Sequence, residues 1–133
     1  MQFNFIKLSL FVNIIVLIPV CIALMKFGES KFIVDAWGEP SSSRSILLSI
    51  YISILLLSCI LLFAYIQDIQ SVSIKYMISS LLIVQVVYKL ITPFTVGITN
   101  PVVISNLLIS ALHIVTLKSI LKQNDIKIGV LNI

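Results

Sequence analysis

The chain has 133 residues, of which 59% are hydrophobic and 11% charged, with a mean hydropathy of +1.17 and a formal net charge of +4. A soluble domain carries about 25% charged residues, so an ordinary water-soluble globule is excluded, and the basic residues form no run and no interleaving with aromatics that would support nucleic-acid binding. The apolar residues fall in long blocks, not in a period-2 or narrow 3.6 pattern, which predicts an all-α fold: one integral membrane four-helix bundle with four transmembrane helices.

The first span runs from Phe5 to Met25. Its apolar core, Leu8 to Met25, exceeds the roughly 7–15 residues of a signal-peptide core and no small-x-small cleavage site follows, so an uncleaved helix is expected, with Pro19 as a tolerated kink. Next comes a short interfacial segment. Phe32, Ile33, Ala36 and Trp37 are spaced to share one side of a turn, with Trp37 at headgroup level, and Gly38 and Pro40 end it. Ser41, Ser42 and Ser43 can cap the second span, Arg44 to Ile66. The third runs from Ile74 to Thr92, capped by Ser71 or Ser73 and stopped by Pro93. The fourth runs from Pro101 to Leu121, with Asn100 as N-cap and Pro101 as first helical residue. Each span has the roughly 20 residues needed to cross hydrocarbon about 30 Å thick. Lys122 to Ile133 are expected to form a short surface tail.

An even number of spans puts both termini on one side. Lys7, Lys75, Lys118, Lys122 and Lys127 lie there, against Lys26, Lys31, Arg44 and Lys89 on the other. The excess selects cytoplasmic termini for this multi-pass protein.

Polar residues inside spans are the informative ones, because they are costly in lipid. Ser9 and Asn13 share a face of the first span; Gln85, Tyr88, Lys89 and Thr92 share one on the third; Asn106, Ser110, His113 and Thr116 share one on the fourth. Such stripes ordinarily form interhelical hydrogen bonds. Lys89 is near enough to Pro93 to snorkel to the interface, and a buried functional cation is the alternative. On the second span Ser45, Ser49 and Ser53 recur every four residues, a small-residue face suited to close helix packing, while Arg44, Tyr51 and Ser58 recur every seven on roughly the opposite side. Two non-lipid faces allow a homo-oligomer or a hetero-subunit beside the membrane lipids. Arg44, Tyr51, Gln85 and Lys89 together make a candidate anion site near the outer leaflet.

Several chemistries lack their residues. No Asp or Glu lies inside a span for proton-coupled export. A single His cannot supply paired haem ligands, a metal centre or a triad with a carboxylate at its depth. Cys21 and Cys59 sit in apolar blocks without a C-x-x-C pairing. No catalytic residue, metal or cofactor is therefore nominated, and a non-enzymatic role is expected.

Gly38, Ser41, Arg44, Ile46, Leu47, Ile50 and Tyr51 carry a G-x-x-S-x-x-R loop leading into a span that opens I-L-x-x-I-Y. That stretch resembles one found in small, mostly uncharacterised bacterial inner-membrane proteins. More loosely, the layout is similar to the DoxX-like four-helix membrane families, where an Arg and a Tyr also open the second span. The resemblance implies a four-helix fold and no particular activity. Three readings follow: an accessory, assembly or protective subunit acting through helix–helix contacts at the serine face; a binder or carrier of an anionic lipid or quinone-like amphiphile; and an oligomeric small transporter or channel with His113 or Lys89 on its path.

Overall fold

The computed structural model describes the backbone of residues 4–131 and the side chains of residues 4–124. Five helices follow one another: α1 (Phe5–Lys26), α2 (Lys31–Trp37), α3 (Ser42–Gln67), α4 (Val72–Val96) and α5 (Pro101–Leu131). All but α2 are long and apolar enough to cross a membrane, α5 over Pro101–Asn124, and the chain is a multi-pass helical membrane protein. Its surface carries the sign expected in lipid. Phe11, Ile15, Ile60, Phe63, Val84 and Leu108 point outward, whereas Ser9, Asn13, Ser58, Gln85, Lys89 and His113 are buried. A soluble bundle would have this arrangement reversed.

Around the bundle α1 packs on α3 and α5, and α4 packs on α5 and more lightly on α3. This is the up-and-down order that short connections between antiparallel neighbours produce. The two ends are pinned differently. At the end holding residue 4, Asn4 Nδ2 donates to the Tyr65 hydroxyl at 3.2 Å and Lys75 Nζ donates to Gln123 at 3.1 Å. At the other end α2 lies against α5, and Asn100 Nδ2 donates to the Ala36 carbonyl at 3.1 Å.

The local signals act as their chemistry requires. Ser41 and Ser71 accept from the N–H groups of Arg44 and Ile74, and Asn100 accepts from Val102 N at 2.8 Å. Gly38 ends α2 at φ 83, a left-handed conformation that a side chain would disfavour. Arg44 Nη1 then donates to the Gly38 carbonyl at 2.6 Å. The same guanidinium fills the space above Gly28, where an added Cβ would lie 2.6 Å from Arg44 Nη2 and 2.9 Å from the Leu24 carbonyl oxygen. One side chain therefore clamps both ends of the α1–α3 corner. Gly28→Ala should dislodge it and lower thermal stability by about 1 kcal/mol, measured by thermal unfolding in detergent; an unchanged melting temperature would show that the clamp contributes nothing.

Two helix ends differ from expectation. Pro93 does not stop the third span; α4 continues to Val96. The proline deprives the Lys89 carbonyl of its helical donor, and the Thr92 hydroxyl replaces it at 2.8 Å. Nor does the fourth helix end at Leu121. The backbone of α5 remains helical to Leu131 in place of a separate tail, because nothing between Lys122 and Leu131 breaks a helix more strongly than the single Gly129.

Candidate functional site

The buried faces of the long helices are set by their polar stripes. On α1 the inward positions include Ser9, Asn13, Leu17 and Cys21; on α5 they include Asn106, Ser110, His113 and Thr116. The helices run antiparallel, so Ser9 meets Thr116 (Oγ to Oγ1, 2.6 Å) and Asn13 meets His113. His113, fully buried, lies 3.2 Å from Ser9 Oγ through Nδ1 and 3.2 Å from Asn13 Oδ1 through Nε2. Asn13 Nδ2 donates to Ser58 Oγ on α3 at 3.2 Å. A hydrogen-bonded spine thus joins α1, α3 and α5 at mid-depth. The bond pattern fixes its protons: Asn13 Oδ1 can only accept, so Nε2 carries the hydrogen and Nδ1 accepts from Ser9.

Above this spine, on the α2 side, the interior opens into a cavity of about 150 Å³. Asn13 forms its floor beside Asn106; Tyr51, Tyr88 and Lys89 form its far wall; Trp37 of α2 covers it. Val16, Val20, Val102 and Ile109 line the seam between α1 and α5 and are only half-buried, with exposed Phe32 and Ser105 at its edge. The cavity therefore communicates with the outside through this lateral seam. It is smaller than the roughly 300–1,000 Å³ of a drug-sized pocket, so it suits a headgroup and not a whole lipid.

Its electrostatics are one-sided. Lys89 is 5% exposed, and its ammonium has a single hydrogen-bond acceptor among the described residues, Gln85 Oε1 at 3.0 Å, with the Tyr88 ring centroid 5.0 Å away. Burial here corrects the snorkelling alternative for Lys89: Gln85 and the Tyr88 face hold the amine inside. Two further donors nearby, Trp37 Nε1 and Gln85 Nε2, are buried without an acceptor among the described residues. The Trp37 indole approaches the Tyr51 hydroxyl but makes no hydrogen bond of ordinary geometry with it. An orphaned buried donor costs about 1–3 kcal/mol. No carboxylate lies in any of the long helices through Asn124, and no group of residues among those described could hold a metal. Unfilled donors with no acid beside them among the described residues are chemically suited to an acceptor-rich or anionic group and not to a cation.

Of the four residues nominated for such a site, Tyr51 and Lys89 line the cavity and Gln85 holds Lys89. Arg44 does not join them; it is spent on the corner with Gly28 and Gly38. Ser45, Ser49 and Ser53 face outward on α3, and each hydroxyl donates to the carbonyl four residues earlier. Among the stripe residues Asn13, Asn106 and His113 converge across helices, whereas Ser110 bonds its own helix at the Asn106 carbonyl, 2.8 Å away. Trp37, Asn13 and Asn106 are polar cavity residues that spacing alone did not group with Lys89. Trp37 lies at the end of α2, which buried Ile33 and Ala36 and the Asn100–Ala36 bond hold over the bundle. Comparisons with protein-family models, with curated proteins and with solved structures found no match for this chain.

Proposed function

We propose that this membrane protein binds the anionic head of a single-chain or lipid-like amphiphile, drawn from the bilayer through the α1/α5 seam into the cavity beneath α2. The observation that carries this reading is the buried Lys89 ammonium, which has no counter-ion among the described residues and lines a cavity with Trp37 and Tyr51. A phosphate, sulfonate or carboxylate would accept from all three, while its chain remained among the apolar seam residues. The setting is the bacterial inner membrane, with termini cytoplasmic and the cavity at the outer leaflet. Native mass spectrometry of protein extracted in mild detergent should show one retained anionic amphiphile per chain. A protein that is bare after extraction, and remains bare after mixing with decanesulfonate, contradicts the reading.

A second reading rests on the outward serine face. The three serines satisfy their hydroxyls within α3, so they present a small, closed surface, and Ser49 and Ser53 border a shallow groove with Ile50, Leu81 and Val84. Such a surface suits close approach of another membrane helix, as an accessory, assembly or protective subunit would need. Ser49→Leu should then abolish crosslinking to the partner in membranes; undiminished crosslinking removes this reading.

A further inference from the structure

We infer that the amphiphile taken by this cavity carries a hydrogen-bond donor, a hydroxyl or an amide N–H, between its anionic group and its chain, and that Asn106 selects for it. The inference rests on the amphiphile-binding reading above and narrows its ligand class.

Asn106 is 8% exposed and lines the cavity. Its backbone carbonyl accepts from Ser110, but its side-chain amide bonds nothing among the described residues. The other amide on the wall is fully engaged: Asn13 Oδ1 pairs with His113 Nε2, and Asn13 Nδ2 donates to Ser58. The Ser105 hydroxyl is turned back to the Pro101 carbonyl at 3.0 Å. Asn106 Oδ1 is therefore the one side-chain carbonyl on the wall still able to accept, and this holds for either orientation of its amide.

Its position decides which part of a ligand it meets. Val102, Asn106 and Ile109 fall on one face of α5, and Val102 and Ile109 line the seam to the bilayer. Lys89, Tyr51 and Tyr88 belong to the wall made by α4 and α3. An anion held on Lys89, with its chain leaving through the seam, places the atoms that join the two beside Asn106. In an alkyl sulfonate or a fatty acid those atoms are methylenes. Asn106 Oδ1, cut off from water by the chain, then pairs with nothing. A hydroxyl or an amide N–H in the same place donates to it, while an oxygen of the ligand accepts from Nδ2. One such bond to a desolvated group is worth about tenfold in affinity.

Two matched pairs of probes test this on the full chain in detergent, read by the fluorescence of its one tryptophan, Trp37. The first pair is N-dodecanoylglycine and dodecanoyloxyacetate, in which an ester oxygen replaces the N–H. The second is 1-dodecanoylglycerol 3-phosphate and its 2-deoxy counterpart, which lacks the hydroxyl. The expected result is about tenfold tighter binding of the donor-bearing member of at least one pair. Preference in the first pair identifies an acyl amino acid head, and preference in the second a lysophospholipid head. Asn106→Leu should bind the two members of each pair equally. Equal affinities within both pairs in the unmodified protein overturn the inference, leave Asn106 holding water only, and leave amphiphile binding standing. That comparison does not depend on any variant folding. A preference that survives Asn106→Leu overturns the role of Asn106. No binding of any of the four probes overturns both the inference and the reading beneath it.

Discussion

Lys89→Met should weaken binding of decanesulfonate at least about thirtyfold while raising the thermal stability of the empty protein. The two effects have one origin. In the empty state the ammonium is buried with Gln85 as its one acceptor and no acid among the described residues, a costly placement that methionine relieves at similar volume. In the bound state the same ammonium faces the anion in a low-dielectric pocket, where removing one partner of a buried charge pair costs about 2–5 kcal/mol. A stability gain of about 1 kcal/mol is expected, smaller than the binding loss because Gln85 Oε1 gives up its donor. Thermal unfolding in detergent with and without probe separates the two. A purely structural Lys89 would instead show a stability loss on substitution and no change in the shift caused by the probe.

His113→Ala is expected to be strongly destabilising, by about 2–4 kcal/mol. Interhelical hydrogen bonds in membrane bundles contribute only about 0.6 kcal/mol each on average, so the two bonds to Ser9 and Asn13 do not account for it alone. The remainder comes from the space left by a fully buried ring and from the groups stranded around it. Ser110→Ala provides the contrast. Ser110 is as deeply buried, but its hydroxyl donates to the Asn106 carbonyl within α5, so its loss should cost less than about 0.5 kcal/mol. Equal melting temperatures for the two variants would show that the spine does not join the helices.

Much of this arrangement is legible in the sequence, for identifiable reasons. Span length and hydropathy give the four long helices, and Ser41, Ser71 and Asn100 mark their starts because a cap is a local interaction. The stripes on α1 and α5 predict the inward faces, and antiparallel pairing then carries Ser9 to Thr116 and Asn13 to His113. Lys89 is harder. Its distance from Pro93 fits snorkelling equally well, and only the packing of Gln85 and Tyr88 around the amine decides for burial. The path of α4 through Pro93 is missed because the rule for proline counts the lost bond but not the Thr92 hydroxyl that replaces it. Arg44 is separated from Lys89 by a contact with no periodic signature, the close approach of its guanidinium to Gly28. Trp37 depends on where a seven-residue helix comes to rest, and the interfacial pattern of α2 does not specify the neighbour beneath it.

The central claim is that the cavity beneath α2 takes an anionic head on Lys89 within reach of Trp37. Titration of Trp37 fluorescence with decanesulfonate, in detergent micelles and beside an uncharged decyl maltoside control, tests it most directly. The account predicts a saturable change at one probe per chain, absent with decyl maltoside and lost in Lys89→Met. A non-saturating response, or one of equal size with the uncharged control and in Lys89→Met, would contradict it.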